Sequence, residues 1–193
     1  SVRSRIATDL HDDIGASLTQ IAVLSEVAQT QARNGTFDEG PLTKISDVSN
    51  ELVGTMSDIV WSINPAKDHL SDLTQRMRRF AADVLAARSI KFHFAGGETA
   101  NQTVIGSNLR REVFLIFKES INNVAKHSNA KNVRATLDVA GGHLRLSVED
   151  DGGGFDTSRD DYRTGNGLNN MERRSREMGG EFSVSSQLGG PTV

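Results

Sequence analysis

Glycine is spread very unevenly along the 193 residues, and this constrains the fold more than any other feature. Residues 1–90 hold four: Gly15, Gly35, Gly40 and Gly54. The other 103 residues hold fourteen, clustered at 152–154, 165–167, 179–180 and 189–190. A glycine-poor stretch can run as long helices. Clustered glycines mark strands joined by tight turns, and loops where the backbone passes close to another group. The chain therefore reads as two regimes, a helical part at 1–65 and a mixed part at 66–193.

The first regime predicts an antiparallel helical hairpin. Leu42, Ile45, Ser49, Leu52, Met56, Ile59 and Ile63 step by three and four residues, which is a heptad seam. Ile6, Leu10, Ile14, Ser17, Ile21, Leu24 and Ala28 make a similar stripe on an earlier helix. Asn34-Gly35 and Gly40-Pro41 punctuate the connection, and proline suits the first turn of the second helix. Asn64-Pro65 ends that helix, because proline disfavours the α conformation in the residue before it. So short a hairpin buries too little surface by itself. Two copies closing into a four-helix bundle would cover both stripes, which predicts a homodimer.

The second regime alternates. Residues 70–87 predict an amphipathic helix, 90–94 a strand, and 108–127 a long helix. Residues 133–139 and 143–149 read as strands joined at Gly141-Gly142. Residues 167–178 read as a helix, and 181–185 as the start of a further strand. Helices with a mostly antiparallel sheet imply a two-layer α/β sandwich, so the fold class overall is α+β. Thr192-Val193 reads as entering a strand that the sequence does not finish, and Ser1 reads as the start of an excised fragment.

Composition removes several function classes. The absence of cysteine excludes disulfides, thiolate metal sites and cysteine nucleophiles, and fits a reducing compartment. A net charge of −3 leaves no electrostatic footprint for nucleic acid or an anionic membrane surface. No apolar run approaches the ~20 residues that cross a bilayer.

Three stretches carry chemistry. Asp150-Asp151-Gly152-Gly153-Gly154-Phe155 follows directly on a predicted strand. A carboxylate there can accept a hydrogen bond from an exocyclic amine such as that of adenine, and glycines let the backbone approach a ring. An ordinary acidic turn has the same letters. Gly165-Asn166-Gly167-Leu168 precedes a helix, where free N–H groups and the positive end of the helix dipole suit phosphates. On the helix 108–127, Val113, Phe114, Phe117, Ile121 and Val124 share one face. Glu112, Glu119, Asn123, Lys126 and His127 share the other. An Asn123 oxygen can ligate Mg²⁺, which prefers oxygen donors and keeps waters and phosphate oxygens. Lys126 could neutralise phosphate charge. Glu119 could order the metal's water shell or act as a base.

In this order the three stretches resemble the N, G1 and G2 boxes of the ATP-binding domain shared by histidine kinases, gyrases, Hsp90-type chaperones and MutL-type proteins. Leu188-Gly189-Gly190-Pro191-Thr192 resembles the final glycine–threonine box, although Pro191 intrudes. The run Arg5-Ile6-Ala7-Thr8-Asp9-Leu10-His11-Asp12-Asp13-Ile14-Gly15 resembles the phosphoacceptor box of sensor histidine kinases of the NarX/DesK type. Asp58 to Pro65 resembles the end of their second helix. The resemblance covers nearly the whole chain. It implies ATP and Mg²⁺ as cofactors, a homodimer, and a LuxR/NarL-type response regulator as partner. It also implies a cytoplasmic core whose full-length protein is anchored in the inner membrane by an upstream sensor region.

The resemblance makes His11 the phosphoacceptor and Asp12 the residue that orients its imidazole. It assigns Asn123, Lys126, His127, Asp150, Gly152, Gly154, Gly165, Gly167, Leu168 and Thr192 to the nucleotide and Asn123 to the metal. From the residues alone, His11 lies about 100° from the centre of its helix's apolar stripe, on the flank of a bundle. Gly15, one turn on, leaves room beside the imidazole or serves packing. Asp9 and Asp13 read as helix-surface charges. Residues 155–166 read as a mobile lid over the nucleotide, and Arg159 and Arg163 in it as solvated charges. One departure stands out. Ala16 occupies the position where this class commonly has a glutamine that helps hydrolyse the regulator's phosphoaspartate, so phosphatase activity by that route is expected to be weak or absent. Gln20 lies one turn beyond.

Two other functions fit parts of the sequence: a regulatory ATP-binding dimer scaffold without phosphotransfer, and a gyrase- or chaperone-type ATPase in which Glu119 activates water. A plain coiled-coil interaction module leaves the glycine boxes unexplained.

Overall fold

The computed structural model describes residues 2–36, 38–64, 68–96, 103–155 and 166–193, with the backbone alone for 2–13, 62, 63 and 166. The chain divides into two compact units, Ser1–Asn64 and Pro65–Val193.

The first unit is a pair of helices packed along each other, α1 (Val2–Arg33) and α2 (Gly40–Ile63). Pro41 stands in the first turn of α2, and the Asp38 carboxylate accepts the Gly40 N–H at 3.0 Å. The helix stops at Asn64, whose backbone is extended (ψ 112°), the conformation that a following proline favours. The heptad stripe of α2 does not act as one seam. Ile45, Ser49 and Leu52 are half-buried and Ile59 is buried, but Leu42 and Met56 remain 47% and 45% exposed. Val53 and Val60 beside them are exposed too. A single neighbouring helix covers only a narrow sector, so the rest of a wide apolar stripe stays uncovered within one chain.

The second unit contains α3 (Leu70–Ala86), β1 (Lys91–Gly96), α4 (Ser107–Asn123), β2 (Asn132–Ala140), β3 (His143–Asp150) and α5 (Asn166–Glu177). The strands form a sheet in the order β1-β2-β3. β2 pairs antiparallel with β3 through a two-residue turn whose glycines, 141 and 142, both have positive φ. β1 pairs parallel with β2, contrary to the mostly antiparallel expectation. The reason is the crossover: α4 lies between the two strands in sequence and returns the chain to the end where β1 began.

Alternation gives the sheet two unlike faces. Phe94, Val133, Ala135 and Leu137 are buried, while Lys91, His93, Arg134, Asp138 and Arg145 on the opposite face are exposed. The helices α3 and α4 pack against the sheet, giving the expected two layers. Leu70, Leu73, Met77, Ala81 and Leu85 of α3 recur at helical spacing and are all fully buried. Phe117 of α4 meets Phe94 edge-on at 6.4 Å, and Phe114 meets Phe80 at 6.0 Å. Where the unit begins, Asp68 accepts the Ile105 N–H through its carbonyl and the buried Arg110 through its carboxylate.

Two further expectations need correction. Residues 181–185 form no strand ladder. Ser185 exchanges two backbone hydrogen bonds with Val193, and Thr192 makes single bridges to Ser186 and Asp150. Pro191 has no N–H to extend such a ladder. The helix expected over 108–127 is α-helical only to Asn123, and Val124–Ser128 follow as a wider π-helical turn.

Candidate functional site

The site grows from the end of β3. Val148 pairs with Ala135, and the next inward position on β3 is Asp150, which pairs with Val133. Strand alternation thus carries a carboxylate into a row of apolar side chains, and Asp150 is 6% exposed. Burial pushes its pKa above the ordinary aspartate value. The Gly152 N–H opposes that shift by donating to Oδ1 at 2.9 Å. The neighbouring Asp151 has a different fate. Its carboxylate accepts the Asn132 side-chain amide at 2.6 Å and the N–H groups of Asn132 and Lys131 at 2.8 Å. The Asn132 contacts lead in holding its pKa below the ordinary value. Asp151 therefore ties the loop to β2, whereas Asp150 is held on the buried side of the strand end.

The glycines here have specific neighbours. A Cβ on Gly152 would strike the Ser128 carbonyl and approach Asp150 Oδ1 to 2.6 Å. Gly154 has φ +57°, and a Cβ there would strike the Gln187 carbonyl. Gly189 donates to the Gly153 carbonyl at 2.7 Å, so the 152–154 loop and the 187–190 loop are zipped together. Thr192 completes this corner: its backbone exchanges two hydrogen bonds with Asp150, and its hydroxyl pairs with that of Ser186 at 2.8 Å. Ser186 in turn accepts the Phe155 N–H at 2.9 Å. Pro191 does not prevent Thr192 from reaching Asp150.

A second cluster lies on α4. Gly167, at the start of α5, sits against Glu119 so closely that a Cβ would strike Oε1, and Asn123 Nδ2 would lie 3.5 Å away. Glu119, Asn123 and Leu168 are half-buried. The π-helical turn connects the two clusters. It begins after Asn123 and ends at Ser128, whose carbonyl accepts the Gly153 N–H at 2.8 Å. Lys126 and His127 stand on this turn, exposed. A π turn closes i→i+5 hydrogen bonds, so their directions do not follow from a 100° helical wheel.

Several expected site residues are thus brought together: Asp150, Gly152, Gly154 and Thr192 in one corner, and Glu119, Asn123 and Gly167 in the other. Gly165 and residues 156–164, including Arg159 and Arg163, lie outside the described residues. His11 and Asp12 fall within α1, and their side chains lie outside the described residues, as do those of Asp9 and Asp13. Among the described residues, a Cβ on Gly15 would meet open space, so packing does not demand glycine there. Ala16 and Gln20 are exposed.

Glu112 does not belong with the solvated face. It is 7% exposed and pairs with Arg111 at 2.9 Å and with Arg174 of α5. The helical wheel missed this because α5 covers that stretch of α4. Ser128 and Ser186 were also missed, and nothing in their local sequence marks them, since their partners come from distant segments.

A buried acceptor beside close-packed glycines suits a planar base with an exocyclic amine. Glu119 and Asn123 supply oxygen donors, but among the described residues no group of three acidic or imidazole side chains could hold a metal.

Comparison with known proteins agrees with this geometry. Residues 108–193 match the family described as histidine kinase-, DNA gyrase B-, and HSP90-like ATPase, and residues 2–68 match the family described as histidine kinase. The signal transduction histidine-protein kinase/phosphatase UhpB of Salmonella typhimurium is 29% identical over 98% of this chain and 37% of its own length. The sensor histidine kinase DesK of Bacillus subtilis is 26% identical over 97% of this chain and 48% of its own. The chain thus spans less than half the length of these two relatives. Among solved structures, the Acinetobacter baumannii histidine kinase AdeS shares the fold, with a TM-score of 0.62 at 19% identity, over 90% of this chain and 91% of that one. With one family match over the hairpin at 2–68 and the other, at 108–193, containing the corner built on Asp150, the chain belongs to the sensor histidine kinases of the NarX/DesK type.

Proposed function

We propose that this chain is the phosphotransfer core of a two-component system, using ATP to phosphorylate His11 and passing the phosphoryl group to an aspartate of a response regulator. The observation that carries the reading is Asp150: a buried carboxylate at a strand end, backed by glycines that only a close backbone approach explains. Asp150 accepts the adenine amine, Gly152 and Gly154 keep that wall flat, and Thr192 fixes the Asp150 backbone. Gly167 and Leu168, with Gly165, bring the start of α5 to the phosphates. Lys126 and His127 add positive charge there. Residues 1–65 serve as the dimerisation and phosphotransfer hairpin and 66–193 as the ATP-binding domain.

In the reaction, a lone pair on one His11 nitrogen forms a bond to the γ-phosphorus. The bond from that phosphorus to the bridging oxygen breaks, and ADP leaves with the electron pair. Asp12 holds the proton on the other ring nitrogen and so keeps the attacking one unprotonated. Asn123 would ligate Mg²⁺, with Glu119 ordering its waters, and the ion would offset the charge that develops on the phosphates. Catalysis is then mostly positioning and charge neutralisation. The exposed stripe of Leu42, Val53, Met56 and Val60 supports a homodimer closed as a four-helix bundle. The partner is a receiver domain of the LuxR/NarL type, and the core works on the cytoplasmic side of an inner-membrane sensor. With Ala16 in place, loss of phosphate from the regulator does not run through that position.

The test is incubation with γ-labelled ATP and Mg²⁺. Wild type is expected to acquire acid-labile label, and His11→Gln none. Label retained by His11→Gln removes the site assignment. Nucleotide binding without label supports a regulatory scaffold, and free phosphate without protein label supports an ATPase.

A further inference from the structure

Helix α5 runs antiparallel along α4 and touches it at three levels. Gly167 lies on Glu119 and Asn123, Met171 meets the Ser120 hydroxyl through its sulfur at 3.3 Å, and Arg174 reaches Glu112. These contacts differ in what they specify. The Gly167 contact is steric, and methionine is a pliable filler that accepts many arrangements. The Arg174–Glu112 pair is directional and mostly buried, with side-chain exposures of 26% and 9%. Both Glu112 oxygens are engaged, one by Arg174 and one by Arg111. The neighbouring arginines of α5 behave otherwise. Arg173 and Arg176 pair with Glu177 and Glu172 within their own helix, at exposed or half-exposed positions that help α5 form but cannot align it.

We propose that Glu112 and Arg174 are a positioning pair that sets the register of α5 on α4 and thereby holds Gly167 beside Glu119 and Asn123. The inference rests on reading that corner as the nucleotide site. A buried ion pair adds little net stability compared with apolar packing, but it can penalise wrong registers, because a slip leaves the second oxygen of the buried Glu112 carboxylate without the arginine it has here. The leverage is geometric. A slip of one residue moves Gly167 by about 1.5 Å along the axis and turns it by about 100°. Displacements of about 1 Å can cost a positioned reaction up to ~100-fold. Glu112 touches no nucleotide in this scheme and acts through α5.

The test measures MgADP affinity of the 193-residue chain by calorimetry, with folding checked by circular dichroism. Glu112→Gln and Arg174→Gln are each expected to weaken binding about tenfold, about 1.4 kcal/mol. The double variant should bind no more weakly than the worse single, because both changes break one interaction. Should Glu112→Gln fail to fold, Arg174→Lys keeps the charge but not the planar fork, and is expected to weaken binding while the helices persist. A merely structural pair would lower the melting temperature and leave the affinity of the folded protein unchanged. Folded variants that bind as wild type therefore overturn the proposal. Asp150→Asn separates the two ideas. Lost binding in Asp150→Asn with wild-type binding in the pair variants overturns the pair alone. A wild-type chain that takes no MgADP overturns the site reading and the pair with it.

Discussion

The two units bury their apolar residues in opposite ways. Among the described residues, the fully buried aliphatic and aromatic side chains belong almost entirely to the second unit, where Leu70, Leu73, Phe117, Ile121, Val133 and Leu137 close a core between helices and sheet. In the hairpin, Ile59 is buried, while Leu18, Val23, Val27, Leu42, Val53, Met56 and Val60 are each at least 41% exposed. The second unit is therefore a domain in the thermodynamic sense, with its own core. The hairpin leaves much of its apolar surface uncovered within one chain, which supports the proposal that it closes against a second hairpin. On the proposed function the two units separate tasks: one holds a nucleotide in a fixed frame, and the other assembles.

The contrast can be broken in three ways, in descending size of effect. Phe117→Ala removes a fully buried ring that touches Phe94 and is expected to cost about 3–5 kcal/mol in denaturant unfolding of the second unit. The light-scattering mass should not change. Next, Val60→Asp alters a residue that is 63% exposed. In an isolated hairpin it would be worth no more than about 0.5 kcal/mol. In a bundle it buries a charge, so the mass is expected to fall to that of a monomer while MgADP binding persists. An unchanged mass would mean that the stripe is not the assembly surface.

The smallest effect concerns acid and sharpens the contrast within the second unit. Asp151 has a lowered folded pKa, so its share of stability is full above the ordinary aspartate value and is lost as pH falls through the folded value. Asp150 has a raised pKa, so the sign reverses: stability is greatest below the ordinary value and declines as pH rises through the folded one. Melting temperatures taken across the acid range should therefore fall less steeply with acid in Asp151→Asn. Asp150→Asn should lose the opposite trend and also lose nucleotide. Parallel profiles for the two variants would show that the adjacent carboxylates do not differ as described.

Much of this was legible in the sequence where one residue's neighbours along the chain decide its environment. The helices over 70–86 and 107–123 follow from 3.6-residue periodicity, and the β2–β3 turn from Gly141-Gly142. The order of Glu119, Asn123, Asp150, Gly152, Gly154, Gly167 and Thr192 was enough to point to a nucleotide site. Periodicity failed where distant segments intervene. Glu112 looked like its polar neighbours until α5 covered it. The long helix read as uniform because nothing local announces the π turn at Val124–Ser128. The heptad stripe of α2 gave no sign that its members divide between α1 and open surface.

What the sequence alone determined is the division of the chain and the chemical inventory: a glycine-poor hairpin, a glycine-clustered sandwich, no thiols, and the ordered boxes that mark the family. These follow from local conformational cost and from side-chain chemistry, which travel with each residue. Tertiary structure alone decided which of two adjacent aspartates is buried, which glycines are forced by a passing carbonyl, and which arginine of α5 reaches across to α4. Those outcomes depend on desolvation and close contact with residues far away in the chain, and no window along the sequence contains both partners.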